Sequence, residues 1–224
     1  FYNSEYSLQC RTQVGSSSLP GGTDYYEFRT RLLTTTDMTP EQVHKTGISE
    51  VARSTEEMED VKQQAGFEGT FAQWLAFLRT DEQFYFKTGQ ERLDAAAVIG
   101  KKIDGALPQL FTKFPRMPWG LKEIPLDIAE KTTTAYYQRP AGDGSRAGFY
   151  FVNITKLDTR PSYELEALSL HEAVPGHHFQ IALSQELDLP EFRKFGGFTA
   201  FIEGWGLYSE RLGLEVGFYQ TPYS

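Results

Sequence analysis

Cysteine is nearly absent from this chain, and so are long apolar runs and any excess of basic residues. The one cysteine among 224 residues, Cys10, excludes an internal disulfide and a cysteine-based metal site. No apolar run reaches the roughly 18 residues that a membrane-spanning helix needs. With 30 acidic and 22 basic residues the net charge is −8, which argues against a basic face for nucleic acid or an anionic membrane. We therefore expect no nucleic-acid partner and no membrane span.

Apolar residues are plentiful, at 40% of the chain, and they predict a packed core. Their spacing is mostly helical, so the predicted fold class is mainly α with a small antiparallel sheet. Thr39, Pro40 and Gln42 mark a helix start, and residues 80–83 are expected to cap another long helix. Residues 122–126 and 148–154 favour strands. The predicted segments are an irregular or extended arm (1–38, with a short strand or extended stretch at 25–32), a helical part (39–116), a small sheet (121–155) and helices that carry the metal motifs (160–216).

The two ends of the chain are aromatic rather than polar, and the first residues do not form a signal peptide. We therefore expect a piece of a longer protein, with residues 1–224 forming a single partial catalytic domain. The other segments of the same protein are then expected partners.

Histidine is the scarcest informative residue: there are four, and three of them lie within residues 171–178. His171 and Glu172 begin as the zinc-protease motif H-E-x-x-H does, in which two histidines at i and i+4 share a helix face and the glutamate acts on a metal-bound water. Here the i+4 position is Pro175. The fourth histidine, His44, lies in a polar stretch and needs no function.

The spacing of the three histidines is wrong for a regular helix. His177 would lie about 120° around the helix from His171, and His178 would lie within about 20° but about 10 Å along the axis. Pro175 disrupts the helix and Gly176 loosens it. A bulge that absorbs two residues would bring His177 to the i+4 position. His178 remains the alternative second ligand.

A third protein ligand is expected from the following helix. Glu203 follows the apolar residues 198–202, and a carboxylate on a buried face needs a cation. Glu210 lies seven residues further on, on the same face of the predicted helix. Arg211 and the polar surroundings, however, favour a solvent-exposed position for Glu210. The residues therefore predict a Zn²⁺ site made by His171, His177 and Glu203, with one position left for water.

Two long motifs resemble the bacterial family known as domain of unknown function 885. They are HEAVPGHH at residues 171–178 and EGWGLYSE at residues 203–210. The resemblance extends over nearly the whole chain from about Tyr25. Further matching segments are LTTTDMTPE (33–41), DGSRAG (143–148), Asn153 and RPSYELEAL (160–168).

This resemblance implies a fold and an activity. The family is similar to helical zinc peptidases of the gluzincin type, such as thimet oligopeptidase and carboxypeptidase Taq. Dipeptidyl peptidase III, in which a glycine precedes the second histidine of a lengthened motif, favours His177 as the ligand. Members of the family are typically longer on both sides, and many are exported or lipid-anchored. The resemblance therefore implies an exported, periplasmic or lipid-anchored protein, of which this chain is the central to C-terminal part.

The resulting hypothesis is a metallopeptidase that acts on a peptide or a small amide. Zn²⁺ lowers the pKa of a bound water toward about 7, and Glu172 takes its proton and passes it to the leaving amine. The strand at 148–153 is expected to pair with an extended substrate. Tyr208 or Tyr150 would donate to the oxyanion. The remaining candidate substrate contacts are His178, Asn153 and Arg146.

Two other functions fit the same residues. One is a metal-dependent amidase or esterase with the same ligands. The other is a non-catalytic scaffold or metal-binding fragment, in which part of the cleft is supplied by segments outside the chain.

Overall fold

The computed structural model describes residues 1–224 and is mainly helical, as predicted. Short π and 3-10 turns connect several of the longer elements. The α-helices are α1 (Gly22–Thr34), α2 (Pro40–Gln64), α3 (Phe71–Thr80), α4 (Gly89–Ala106), α5 (Leu126–Ala129), α6 (Leu165–Glu172), α7 (His177–Glu186), α8 (Glu191–Phe195) and α9 (Thr199–Glu215).

The chain divides into two compact units, Phe1–Thr55 and Glu56–Ser224. Helices α3 to α9 and the sheet lie in the second unit, and so do all the candidate site residues. A single catalytic domain over 1–224 stays a prediction. No helix combines the length and the apolar composition that crossing a membrane requires.

The first unit corrects the prediction of an extended arm over residues 1–38. Its residues 22–34 form α1, so the β-forming aromatics of this stretch do not make a strand. Tyr25, Phe28 and Leu32 in fact recur at helical spacing. Asp24 in the first turn and Arg31 in the last turn complement the helix dipole.

The start of the long helix α4 also differs from the prediction. Asp81 caps only a short 3-10 turn, Glu82–Phe84, whereas α4 begins at Gly89. Thr88 and Glu91 form its capping box, in which each side chain accepts a hydrogen bond from the other residue's backbone. A reciprocal cap forms at Thr88 because Glu91 lies three residues later, whereas Phe84 occupies the corresponding position after Asp81.

The sheet has three strands, β1 (Trp119–Glu123), β2 (Ala135–Gln138) and β3 (Gly148–Val152), in the order β1-β3-β2. β1 pairs with β3 in parallel and β2 pairs with β3 antiparallel, so the prediction of an antiparallel sheet is corrected to a mixed one. The long connection through α5 and β2 lets the chain return to β3 in the direction of β1. β3 is therefore central, and β2 is an edge strand.

Two clusters of buried side chains join the sheet to the helices. The first packs α4 and α6 against the sheet, around Tyr150 and Leu165. The second lies between α4, α6 and α7, around Ile103, Leu170 and Phe179. Helix α6 contributes to both clusters, so its position is set from two sides.

Gly100 on α4 provides a test of this packing, because a Cβ there would lie 2.4 Å from the ring of Trp119 on β1. We expect Gly100→Ala to lower the free energy of unfolding by about 1–3 kcal/mol through overpacking. Gly105 on the same helix has open space, so Gly105→Ala should raise it by about 0.5–1 kcal/mol. Urea denaturation measures both, and equal effects of the two substitutions would contradict the packing described.

Candidate metal centre

The HEAVPGHH motif is split between two helices rather than bulged within one. Helix α6 ends at Glu172 and α7 begins at His177, and the Val174–Pro175 peptide bond between them is cis. The Gly176 N–H donates to the carbonyl of Leu170, six residues back instead of four. Two extra residues are thus absorbed, as expected from the spacing, but by a break between helices. A side chain at Gly176 has no room, because a Cβ would lie 1.8 Å from the carbonyl oxygen of His171.

This break brings His177 beside His171, and α9 brings Glu203 to both. His171 Nε2 lies 3.4 Å from Glu203 Oε2, and His177 Nε2 lies 3.8 Å from Glu203 Oε1. One donor atom from each of the three residues lies within 4.8 Å of the others. The three predicted ligands therefore form one group that could hold a metal ion.

The separations in this group suit a cation better than direct hydrogen bonds. Donors bound tetrahedrally to zinc at about 2.0–2.1 Å are about 3.3 Å apart, whereas a direct N–H···O bond is about 2.9 Å. The distances of 3.4 and 3.8 Å, measured to the two oxygens of Glu203, are both longer than a direct hydrogen bond. Glu203 is 55% exposed while both histidine side chains are largely buried, so the group is open on the carboxylate side.

Glu210 orients His171 and was not predicted as part of the site. Its Oε1 lies 2.7 Å from His171 Nδ1, which leaves Nε2 directed at Glu203. A carboxylate that accepts the second N–H of a ligating histidine is common at metal sites. The signal was the spacing of seven residues between Glu203 and Glu210, which places both on one face of α9. Arg211 made Glu210 resemble a solvated residue, yet the helix turns the two side chains in different directions.

Helix α9 approaches His171 closely because position 206 is glycine. A Cβ at Gly206 would lie 2.5 Å from His171 Cε1. The hydrogen bond with Glu210 raises the pKa of His171, against the opposite effect of burial. Burial and the neighbouring His171 lower the pKa of His177, whose Nδ1 has no hydrogen-bond partner. The neutral imidazole that binds metals is thus favoured at His177.

Glu172 is buried next to this group, at the end of α6. Burial raises its pKa to about 7; His171 lowers it, Glu203 raises it, and a backbone hydrogen bond from the Tyr137 N–H lowers it. Two of the three predicted ligands, His171 and Glu203, are therefore within electrostatic range of the Glu172 carboxyl. The edge strand β2, which carries Tyr137, faces the same carboxyl.

His178 is not part of the metal group, and the structure corrects its predicted role in substrate binding. Its Nε2 donates to the carbonyl of Met117 at 2.9 Å, so Nδ1 accepts from the Tyr137 hydroxyl at 2.8 Å. Both ring nitrogens are used, and burial lowers the pKa of His178 to about 4. This neutral, buried imidazole joins α7 to β2 and to the segment before β1.

Tyr150 and Asn153 are also structural, contrary to their predicted contact with substrate. Tyr150 is fully buried on the central strand β3, with its hydroxyl 3.5 Å from Ser169 Oγ. Asn153 is fully buried, and its Nδ2 donates to the carbonyls of Ala129 and Thr133. The prediction treated β3 as a substrate-binding edge, whereas strands on both sides cover it.

Arg146 and Tyr208 lie outside the metal group. The Arg146 guanidinium donates to Gln138 Oε1 and to the backbone carbonyls of Ala147 and Arg139, so it holds the loop between β2 and β3. Tyr208 is about half exposed and packs against Trp205. Tyr208 follows Glu203 by five residues, so the two side chains are separated by about 140° around the axis of α9. Its donation to an oxyanion stays a prediction.

The hydrogen bonds of Asn153 predict a large effect on stability. Asn153→Ala removes the hydrogen bonds that the buried Nδ2 donates to the carbonyls of Ala129 and Thr133, and the one that Oδ1 accepts from the Thr155 N–H. We expect the free energy of unfolding to fall by about 2–4 kcal/mol in urea denaturation. Asn3→Ala, at an exposed position, should change it by less than about 0.5 kcal/mol. An unchanged stability in Asn153→Ala would contradict the structural role.

Comparisons with known proteins agree with this description. The structure is similar to the crystal structure of a protein described as the putative lipoprotein from Colwellia psychrerythraea, with a TM-score of 0.91 and 29% sequence identity. The match covers 96% of this chain and 38% of that protein, so the chain spans well under half of its length. The comparison with curated proteins found no match. The profile of the family described as bacterial protein of unknown function (DUF885) matches residues 1–224, and the chain therefore belongs to this family.

Proposed function

We propose that this chain carries the metal site of a zinc-dependent hydrolase, and that the hydrolase is a metallopeptidase. The observation that carries the proposal is the convergence of His171, His177 and Glu203 within 4.8 Å. Two imidazoles and a carboxylate are the ligand set of catalytic zinc sites in which a further position stays open. The exposed side of Glu203 is where that open position would lie.

The residues around the group divide the work of hydrolysis. A zinc ion held there would supply Lewis-acid chemistry and an activated water. Glu210 positions the imidazole of His171 through their 2.7 Å hydrogen bond. Glu172, buried beside the ligands, accepts a proton from the attacking water and returns it to the leaving nitrogen.

The edge strand β2 favours a peptide as the substrate. Its inner edge pairs with β3, whereas the Tyr137 N–H on its outer edge faces Glu172. An extended peptide that adds to this outer edge would pass the buried carboxyl with its backbone in register. The substrate-binding strand is thus β2 in this proposal, in place of the central β3.

A metal-dependent amidase or esterase would use the same ligands, and a substrate panel separates it from a peptidase. Hydrolysis of small amides or esters without hydrolysis of peptides would favour this alternative.

The lipoprotein description of the Colwellia psychrerythraea relative supports an exported, lipid-anchored location for the whole protein. Fractionation of cells that express the complete gene tests the location.

Substitution of the ligands should remove the metal. We expect His171→Ala and Glu203→Ala to lower zinc affinity at least about 100-fold, because each leaves only two of the three protein ligands. His44→Ala, at an exposed position on α2, serves as the matched control and should keep zinc. Metal analysis and competition with a zinc chelator measure the effect. Equal zinc content in all the variants would rule out the assignment.

Substitution of the proposed base should separate metal binding from catalysis. Glu172→Gln keeps the shape of the side chain but cannot accept the proton, so kcat for peptide hydrolysis should fall about 10²- to 10⁴-fold while zinc stays bound. Glu166→Gln on the same helix is the control and should retain activity. A Glu172→Gln variant with full activity would reject the role of this carboxylate.

A further inference from the structure

A large apolar pocket lies between α7, α8, α9 and the segment that follows α4. Its volume is about 1080 Å³, slightly above the range of about 300–1,000 Å³ found for ligand pockets. A single side chain would leave most of it empty, so it suits a ligand with several apolar groups. The main apolar lining residues are Phe179, Ile181, Leu183, Phe201, Ile202 and Trp205.

The charged residues that line this pocket are all basic, although the chain has a net charge of −8. They are Lys113, Arg139, Arg193 and Lys194. Lys194 pairs with the exposed Glu191 at 3.7 Å, and Arg139 donates to the backbone carbonyl of Phe195. Lys113, Arg139 and Arg193 form no ion pair with a carboxylate. The pocket thus combines an apolar lining with uncompensated positive charge, which is complementary to an apolar anion.

The same two helices join the pocket to the metal group. On α7, Gln180 and Ile181 follow His177 by three and four residues, so they share its face about one turn, or about 5.4 Å, along the helix. On α9, Ile202 precedes Glu203 directly. Trp205 lines the pocket and donates its indole N–H to the carbonyl of Pro175 at 2.7 Å. The pocket lining and the metal group therefore lie on neighbouring positions of the same two helices.

We propose that this pocket is a substrate subsite for the apolar C-terminal end of a peptide, whose terminal carboxylate pairs with the basic residues. The inference rests on the proposed metallopeptidase function. A terminal carboxylate is the anion that a peptide carries whatever its side chains, so it fits beside apolar residues. The polar residues Gln180 and Ser184, which also line the pocket, suit the backbone of a peptide better than the hydrocarbon chain of a fatty acid.

The test compares two probes that differ only in charge. N-acetyl-Leu-Phe with a free carboxylate and its C-terminal amide are titrated into the full chain, with and without zinc, by isothermal calorimetry. We expect the acid to bind about tenfold more tightly than the amide. The double variant Lys113→Gln/Arg193→Gln, at two exposed positions, should abolish this preference. The double variant Lys102→Gln/Lys131→Gln, with the same change in net charge, should keep it.

Several results would overturn the subsite. These are equal affinities for the acid and the amide, an unchanged preference in Lys113→Gln/Arg193→Gln, or dodecanoate that competes for the pocket as tightly as the acid. Sedimentation experiments could also show a dimer that dissociates when the acid is added. The pocket would then be occupied by a second copy of the chain, and the proposed subsite would be overturned.

The proposed function fails in a different way from the subsite. Zinc binding and peptide hydrolysis without preference for the acid would overturn the subsite alone. The protein could instead bind zinc and prefer the acid through Lys113 and Arg193, yet hydrolyse no peptide. This result would overturn the metallopeptidase and support a peptide-binding pocket.

Discussion

The arrangement of the site depends on the hydrogen bond from the Gly176 N–H to the carbonyl of Leu170. This bond closes the break between α6 and α7 and takes up the two residues by which the motif exceeds a regular helix repeat. His177 is thereby placed against His171, with ring centroids 4.6 Å apart. The Trp205 N–H, bound to the Pro175 carbonyl, connects the same break to α9. Because α9 also carries Glu203 and Glu210, one local feature aligns the ligands and the residue that orients them.

Burial separates the residues that act from those that hold them in place. A group that meets substrate must be reachable, and Tyr150, Asn153 and His178 are not, since each is buried and its polar atoms contact other parts of the chain. Their role is to fix the sheet against α6 and α7. The edge strand β2 is consequently held beside the Glu172 carboxyl.

Charge is distributed unevenly around the site. Three carboxylates lie in or beside the metal group: Glu203 is one of its members, and Glu172 and Glu210 adjoin it. The neighbouring pocket has only basic charged residues in its lining. In the proposed function, a substrate that spans both would meet the metal ion at its scissile bond and basic side chains at its C-terminal end.

The sequence alone determined the features that depend on neighbours along the chain. These are the mainly helical fold, the three metal-ligand candidates and the need for Pro175 and Gly176 to correct the spacing. Tertiary structure decided the rest, because the partners are distant in sequence: Glu210 reaches His171 across 39 residues and Tyr137 reaches His178 across 41. Tertiary pairing also places the short strand β2 against β3, so the free edge of the sheet near Glu172 belongs to β2. Residue type and spacing identify what can bind a metal, whereas only packing decides which polar groups are left accessible.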